Sequence, residues 1–359
     1  MLKVDANCEF KGYNIYIKDN LDELCELLKG YTSSGIKVFI LTDSRVHFIY
    51  NNIVNLLEES LGCIKYVFNE GEDNKNLNTV TAIYDFLIKN NADRSSILIA
   101  LGGGVVGDIA GFVASTFMRG IRYISIPTTL VSQVDSSVGG KVGCNYGDIK
   151  NIVGAFYNPE FVYIDTSFLN SLSNKQILDG LGEVIKYGLI YSKELLLFIE
   201  QNPDQILSAD SRKASYIVKE CLKIKTEVIS KDFKDTGLRN ILNFGHTVGH
   251  GIEAESNYAV PHGIAVALGM LAALKLSEKY CGLSSSVYNY VVSLYKKLNL
   301  PTSYKVDNYD SFLYAIRHDK KNNDKINFVL LKDIGNCIIK AAVKEEDILW
   351  AVNNCFQEE

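Results

Sequence analysis

The sequence lacks several features that would each indicate a particular class of protein. Its 37 Lys and Arg residues are outnumbered by 42 Asp and Glu residues, and a net charge of −5 offers no broad positive surface to nucleic acid. None of the eight cysteines belongs to a C-x-x-C pair, and a chain of 359 residues needs no cross-links, so we expect reduced thiols. The first residues lack the apolar run of a signal peptide. The most apolar stretch, GIAVALGMLAALKLSEKY, is short and interrupted, which favours a buried helix over a membrane span. We therefore expect a cytoplasmic protein with neither nucleic-acid nor membrane partners.

The chain has no internal repeat, low-complexity tract or flexible linker, and its length suggests about two domains. Four β-rich runs, at 36–43, 63–70, 95–104 and 122–129, alternate with helical patterns, including one continuous helix over 44–60. This alternation is typical of a parallel sheet with crossover helices. Beyond residue 167 helical periodicity dominates. The sequence predicts an α/β protein, with a Rossmann-like parallel-sheet domain over 1–167 followed by a mostly α-helical domain over 168–359.

A glycine-rich turn, ALGGGVVGD at 100–108, follows the third predicted strand and opens a helix. Its glycines allow close approach of the backbone, and the helix N-terminus favours an anion. The turn lacks the G-x-G-x-x-G pattern and could be only a tight connection. However, EGEDNK at 70–75 and PTT at 127–129 also end predicted strands, as does Asp43, which could bind a ribose hydroxyl or cap the next helix. Together these loops predict a phosphate-bearing nucleotide at the sheet edge.

Residues 133–157 form a glycine-rich polar stretch between apolar segments. We interpret it as a partly buried loop, in which lysines would pair with anions, although a solvated loop would have a similar composition. Arg119, at the end of the helix after the glycine turn, could stabilise that helix end or bind phosphate across a subunit interface. The polar or flexible positions of the stretch are Asp135, Ser136, Ser137, Gly139, Gly140, Lys141, Asn145, Lys150 and Asn151.

Three of the five histidines are candidate metal ligands. His246 and His250 lie four residues apart on one helical face, and His262 follows a proline. Glu183 plus two of these histidines would give the three protein ligands of a catalytic zinc site, but the spacing does not select the two. The alternatives are a closely packed buried helix with ordinary histidines and, for Glu183 with Lys186, a surface ion pair.

The motifs resemble those of the 3-dehydroquinate synthase family in order and spacing, over nearly the whole chain. They are GGGVVGD, FMRG, PTTL, DSSVGGKVG, KNIVGAFY, GEVIKYG, GLRNILNFGHTVGHGIE, PHGIAVALGM and, at 319–322, DKKN. The resemblance implies conversion of 3-deoxy-D-arabino-heptulosonate 7-phosphate to 3-dehydroquinate and phosphate in the shikimate pathway. The implied steps are transient oxidation by NAD, phosphate elimination, re-reduction and intramolecular aldol closure.

The resemblance also implies roles for individual residues. Glu183, His246 and His262 would bind zinc or cobalt, which places His250 in the substrate pocket. The implied catalytic residues are Asp135, Lys141, Lys186, Asn243 and His250. The implied substrate contacts are Asn151, Lys225, Arg239, Lys320 and Arg119, the last lent by the partner in a homodimer. The implied NAD contacts are Asp43, Glu72, Lys75, Gly103, Gly104, Val105, Val106, Gly107, Asp108, Thr128, Thr129, Lys141, Lys150, Phe168, Leu169, Asn170 and Ser171.

Some positions depart from the family pattern. KVGCN replaces the family's K-T-G-V-N, and SLS replaces T-L-P. DFKD, which contains Phe233, replaces D-E-x-E. None removes a metal ligand or a charged substrate contact. Three other functions fit less well: a 2-deoxy-scyllo-inosose synthase, a metal- and NAD-dependent polyol dehydrogenase, and a catalytically silent nucleotide-binding protein. DSSVGGK argues against the first of these, and the intact ligands and lysines argue against the last.

Overall fold

The computed structural model describes residues 1–4, 12–18, 20–147, 149–319 and 325–356. The chain divides into two compact units. The first unit comprises Met1–Leu172 together with Lys225–Phe233, and the second comprises Ser173–Ile224 together with Lys234–Glu359. Lys320 falls outside the described residues.

The first unit is built on a seven-stranded sheet. Its strands are β1 (Leu2–Val4), β2 (Tyr13–Lys18), β3 (Val38–Asp43), β4 (Ile64–Phe68), β5 (Ile97–Gly102), β6 (Arg122–Pro127) and β9 (Phe161–Asp165). Their order is β1-β2-β9-β6-β5-β3-β4, and every pairing is parallel except that of β1 with β2. A separate antiparallel hairpin joins β7 (Lys141–Tyr146) to β8 (Ile149–Phe156). The predicted mostly parallel sheet is confirmed.

Helices pack on both faces of this sheet. They are α1 (Asp22–Thr32), α2 (Ser44–Ile49), α3 (Asn51–Leu61), α4 (Leu77–Lys89) and α5 (Gly104–Thr116). Side chains of β3 alternate between the faces, because Phe39 and Leu41 join the core under α4 and α5 whereas Val38 and Ile40 join the core under α1 and α3. Since both faces are covered, these strands read as continuous apolar runs.

The prediction of one helix over 44–60 is wrong. The chain breaks at Tyr50, whose φ of −114° and ψ of 31° separate α2 from α3. The Tyr50 hydroxyl lies 2.9 Å from the Phe168 carbonyl and 2.5 Å from Ser171 Oγ, in the 3₁₀ segment Thr166–Ser171. A contact 118 residues away in sequence therefore sets this break, and helical periodicity gives no sign of it.

The prediction of a loop over 133–157 is also wrong, because most of this stretch forms the hairpin of β7 and β8. A Cβ atom added at Gly143 would lie 2.6 Å from the Val153 carbonyl oxygen, and one at Gly154 would lie 2.4 Å from that of Val142. The two antiparallel strands thus approach closely at paired glycines, Gly143 opposite Gly154. Glycines are typical of loops, but here they allow two strand backbones to approach closely.

The second unit is mostly helical. Its helices are α6 (Asn174–Ile190), α7 (Lys193–Gln201), α8 (Pro203–Leu207), α9 (Ser211–Lys231), α10 (His246–Glu255), α11 (His262–Cys281), α12 (Ser285–Leu298), α13 (Tyr309–Asp319) and α14 (Glu345–Cys355). The last seven residues of α9 are grouped with the first unit. A hairpin of β10 (Lys325–Asp333) and β11 (Asn336–Lys344) completes the second unit. Among the described residues, no helix combines the length and apolarity needed to span a bilayer.

Candidate functional site

Helices α6, α10 and α11 meet through glycines, so that their backbones touch. A Cβ atom at Gly182 would lie 1.9 Å from the Gly263 carbonyl oxygen, and one at Gly263 would lie 1.8 Å from the Asp179 carbonyl oxygen. At the other contact, a Cβ atom at Gly269 would lie 2.0 Å from the Gly245 carbonyl oxygen. These positions therefore admit only glycine, and the close packing brings α11 against both α6 and α10.

Glu183, His246 and His262 come together at this junction. His246 begins α10, His262 begins α11, and Glu183 lies in α6. The Nε2 atoms of His246 and His262 lie 3.6 and 3.3 Å from Glu183 Oε1, and the three candidate ligand atoms lie within 4.8 Å of one another. Zinc bonds of about 2.0–2.2 Å in a tetrahedral site place ligand atoms roughly 3.4 Å apart. The three side chains therefore fit a divalent metal ion.

The outer nitrogens of both imidazoles are also engaged. His246 Nδ1 lies 3.2 Å from the Phe244 carbonyl oxygen, and His262 Nδ1 lies 3.2 Å from Glu253 Oε2. Since both partners only accept hydrogen bonds, each Nδ1 is assigned a proton, so the neutral form of each imidazole has its lone pair on Nε2, the nitrogen that faces Glu183. This tautomer is the one that a metal needs.

The charges around the cluster are unusual for a helical core. Glu183 and Lys186 are each 1% exposed and form an ion pair, so the alternative of a surface pair is wrong. Burial, reinforced by the Lys186 ammonium, lowers the pKa of His246 to about 3. Burial also opposes protonation of His262, but hydrogen bonds to the carboxylates of Glu183 and Glu253 raise its pKa to about 10. In the absence of a metal ion, the cluster thus combines the carboxylates of Glu183 and Glu253 with the Lys186 ammonium and a protonated His262.

The remaining predicted residues of the second unit lie on neighbouring segments. The His250 ring centroid is 5.5 Å from that of His246 and 6.1 Å from that of His262. His250 forms a second ligand-like group with Glu253 and His262, but it is not grouped with Glu183. Arg239, which is buried, and Asn243 belong to the 3₁₀ segment Leu238–Asn243 that precedes α10.

In the first unit, the glycine turn leaves the start of α5 open. Gly103 caps α5 without any side-chain hydrogen bond, and a Cβ atom at Gly107 would meet nothing within 4 Å. The N–H groups of the first turn and the helix dipole therefore face a site that suits a phosphate. A cavity lies at this turn, and its lining consists of Gly102, Gly103, Gly107, Asp108, Tyr123, Ser125, Pro127, Ser132, Ser136, Ser137, Gly140, Lys141 and Val142.

A buried ion pair fixes the floor of this site. Lys75 Nζ lies 2.6 Å from Asp108 Oδ2 and 2.5 Å from Asn151 Oδ1, and Lys75 is 5% exposed. Burial lowers the pKa of Lys75, but the carboxylates of Asp108 and Glu72 outweigh it and raise that pKa overall. Burial raises the pKa of Asp108, against the effect of Lys75. Asn151 is therefore placed beside two residues predicted to contact NAD.

The other predicted NAD contacts are placed around the same sheet edge. Asp43 is the N-cap of α2 and accepts a hydrogen bond from Val46 N at 2.8 Å, so the capping alternative is correct for its local role. Glu72 Oε1 accepts a hydrogen bond from Asn145. Thr128 N donates to the Gly102 carbonyl at 3.0 Å, and the Thr129 hydroxyl is 2.9 Å from Ser132 Oγ.

The segment 168–171 offers less side-chain surface than the prediction assumed. Phe168 and Leu169 are buried, so a cofactor would meet only their backbone. Asn170 is exposed, and Ser171 bonds to Tyr50. Among the other predicted contacts, Val106 is buried, and Gly104, Val105 and Lys150 are half-buried.

Lys225 and Lys141 supply positive charge in the first unit. Lys225 Nζ, which is buried, lies 2.6 Å from the Asp135 carbonyl oxygen and 2.9 Å from Asp135 Oδ1. Lys141 is exposed at the start of β7 and lines the cavity at the glycine turn. Phe233 packs on Phe156 with ring centroids 5.7 Å apart.

Sequence reasoning missed three residues that organise these sites. Tyr50 holds the 168–171 segment, and Asp179 Oδ1 accepts a hydrogen bond from Gly263 N at 2.6 Å. Glu253 contacts His262. A signal for Glu253 was available, because it follows His246 by seven residues and His250 by three and so shares their helical face.

Comparison with known proteins identifies relatives along most of the chain. Two family models match the chain, 3-dehydroquinate synthase N-terminal over residues 65–179 and 3-dehydroquinate synthase C-terminal over residues 180–322. A 3-dehydroquinate synthase of Clostridium tetani is 55% identical over 341 residues, covering 95% of this chain and 91% of that protein. One from Thermoanaerobacter pseudethanolicus is 44% identical over 344 residues, covering 94% and 96%.

A solved structure has a very similar fold. The 2-deoxy-scyllo-inosose synthase complexed with carbaglucose-6-phosphate, NAD+ and Co2+ superposes with a TM-score of 0.87 at 26% identity, covering 96% of this chain and 98% of that chain. The family models cover more than half of the chain, and the sequence relatives span nearly all of it. The chain therefore belongs to the 3-dehydroquinate synthase family.

Proposed function

We propose that this chain converts 3-deoxy-D-arabino-heptulosonate 7-phosphate to 3-dehydroquinate and phosphate, as a cytoplasmic enzyme of the shikimate pathway. The observation that carries the proposal is the convergence of Glu183, His246 and His262, from three helices, at distances that suit one metal ion. The high identity to 3-dehydroquinate synthases over 95% of the chain supports the same assignment.

The proposal requires NAD and one divalent metal ion, zinc or cobalt. When bound, NAD supplies reversible hydride acceptance and the metal supplies Lewis-acid polarisation of substrate oxygens. Glu183, His246 and His262 would hold the metal, and the open N-terminus of α5 with Gly107 would hold the dinucleotide phosphates. The related 2-deoxy-scyllo-inosose synthase binds NAD+ and Co2+, which supports this pair of cofactors.

The chain's own residues would bind and orient a strongly anionic substrate within an acidic protein. Lys141, Lys225 and Arg239 would neutralise its carboxylate and phosphate, as local positive charges must do when the net charge is −5. Asp135 holds Lys225 through two contacts and so fixes the position of its ammonium. Asn151, Asn243 and Lys320 are assigned as further substrate contacts.

Lys186 and His250 are proposed to take part in proton transfer. Lys186 is buried beside Glu183, so its ammonium can donate a hydrogen bond without competition from bulk water. His250 lies on the same face of α10 as His246, one turn further along.

In the proposed domain roles, residues 1–167 bind NAD and residues 168–359 bind the metal and part of the substrate.

We further propose that the enzyme is a homodimer in which Arg119 serves the partner's site. Met118 and Arg119 both have positive φ values, 49° and 67°, and Met118 is 42% exposed. Two successive non-glycine residues in this conformation cost on the order of 1–3 kcal/mol each and are typical of functional turns. The strained turn that presents Arg119 supports a role in binding.

Complementation tests the dimer. An Arg119→Ala chain mixed with a Glu183→Ala chain should regain activity, because the mixed dimer contains one site with the Glu183 of one chain and the Arg119 of the other. If Arg119 serves its own chain, no mixture can contain a complete site and activity stays absent. Light scattering of each variant alone is the control for assembly.

The reaction itself is tested by supplying the heptulosonate phosphate with a catalytic amount of NAD. Phosphate and dehydroquinate should be released in equal amounts, with no net accumulation of NADH. Glu183→Gln and His246→Ala should abolish turnover and metal binding together. Stoichiometric NADH would instead indicate a polyol dehydrogenase and would refute the proposal.

A further inference from the structure

We propose that Glu253 is a positioning residue that fixes the His262 ring for metal binding, an inference that rests on the metal site of the proposed function. His262 Nδ1 lies 3.2 Å from Glu253 Oε2, while its Nε2 faces Glu183 Oε1 at 3.3 Å. The imidazole is thus held between two carboxylates, one on each nitrogen. Of the two, only Glu183 is on the side of the metal.

The ring of His262 needs such support because the start of α11 leaves it partly exposed. The His262 side chain is 38% exposed, compared with 14% for His246. Pro261, the N-cap of α11, provides no side-chain hydrogen bond. The backbone is instead held by α6, where Asp179 Oδ1 accepts from Gly263 N at 2.6 Å. Asp179 therefore fixes the backbone next to His262, and the ring itself is left to Glu253.

Glu253 is well placed to restrict that ring. Its side chain is 6% exposed, so water competes little with the hydrogen bond. A carboxylate that accepts from Nδ1–H both selects the tautomer and increases the basicity of Nε2. His246 receives weaker support of the same kind from the Phe244 carbonyl, which is neutral. We therefore expect metal affinity to depend on Glu253 more than on any neutral partner of the cluster.

A competing role for Glu253 is direct ligation, since His250, Glu253 and His262 also form a ligand-like group. In that case His262 Nδ1 would bind a second cation and could not donate its proton to Glu253. The two roles predict different stoichiometries, one metal ion per chain for positioning and two for ligation.

The test titrates the metal-depleted full-length chain with Co2+ in competition with a chromogenic chelator. Glu253→Ala should weaken Co2+ binding by about 10- to 100-fold, and Glu253→Gln should weaken it less because its amide oxygen still accepts the hydrogen bond from His262 Nδ1. The visible absorption bands of bound Co2+ should broaden in the alanine variant as the ring loosens. Turnover of this variant should recover at saturating Co2+, which a purely structural defect would not allow.

Glu255→Gln is the matched control. Glu255 lies two residues further along α10 and accepts hydrogen bonds from Tyr304, Asp307 N and Asn308 N, none of which belongs to the metal cluster. This variant should lose thermal stability and keep the parent affinity for Co2+. Parent-like Co2+ affinity in both Glu253 variants, or two Co2+ ions per parent chain, would overturn the positioning role while leaving the proposed function intact. A parent chain that binds no Co2+ would overturn the proposed metal site as well.

Discussion

Replacing Gly182 by alanine tests whether the glycine contact between α6 and α11 builds the metal site. The new methyl carbon would lie 1.9 Å from the Gly263 carbonyl oxygen, a backbone atom that cannot rotate away. Ordinary contact begins near 3.4 Å, so the two helices must separate by about 1.5 Å at this point. Because Glu183 is the next residue in α6 and His262 precedes Gly263 in α11, this separation acts directly on the ligands.

The expected loss follows from the ligand distances. Glu183 Oε1 and His262 Nε2 are 3.3 Å apart, and metal sites tolerate deviations of only about 0.2 Å in each bond. A displacement of about 1.5 Å would remove one of three ligands, and we expect metal binding to weaken by roughly 100-fold, or about 2.7 kcal/mol. Overpacking should lower the free energy of unfolding by about 1–3 kcal/mol. The higher helix propensity of alanine should offset at most about 1 kcal/mol of this loss.

The assay is calorimetric titration of the metal-depleted chain with Zn2+, together with thermal unfolding of the metal-free form. Gly30→Ala, in α1, is the matched control, since its Cβ atom would meet nothing within 4 Å. The same chemical change should there leave metal affinity unchanged and stabilise the protein slightly. If Gly182→Ala bound Zn2+ with the parent affinity, the helix contact would not set the ligand geometry and the reasoning would be refuted.

Three further results are expected. Gly107→Ala should leave the fold intact and weaken NAD binding at least about tenfold by fluorescence titration, because its methyl group would occupy open space at the start of α5; an unchanged NAD affinity would contradict this phosphate site. Phe233→Ala should lower the free energy of unfolding in urea by about 3 kcal/mol and raise KM, because its buried ring packs on Phe156 at the end of the hairpin that carries Lys141; Phe233→Tyr is the control, and an unaltered KM would limit Phe233 to stability. Treatment with EDTA should abolish turnover and lower the melting temperature, with recovery on adding Co2+; activity that survives full metal depletion would exclude the proposed metal role.

The parallel sheet was predictable because local sequence determines it. Strands β3, β5 and β6 are buried on both faces, so each is an apolar run in the sequence that ends at a polar or glycine-rich turn. The hairpin of β7 and β8 was missed because the glycines that let its strands touch are also typical of loops. The break at Tyr50 depends on partners far along the chain, and no local pattern encodes such partners.

The proposed metal ligands could be predicted from the sequence only in part. Spacing identified Glu183 and three histidines as candidates, and the choice of His246 and His262 came from family resemblance. The choice depends on where α6, α10 and α11 cross, which is a property of their packing. Glu253 was overlooked because an acidic residue in a helix is usually solvated, and only its burial against His262 reveals a different environment.

Residues 243–253, NFGHTVGHGIE, combine glycines with His246 and His250. A metal site and close helix packing, the two explanations for this segment, are parts of one arrangement. Close helix packing was the structural alternative to a metal site, and the glycines do pack closely, at Gly245 and Gly249 against α11. That packing places the first residues of α10 and α11 beside Glu183, so the ligands can converge only because the backbones touch. It follows that a larger residue at these glycines would weaken metal binding without changing any ligand, whereas substitution of a ligand would leave the helix packing in place. Measuring metal affinity and metal-free stability on the same variants separates these two effects.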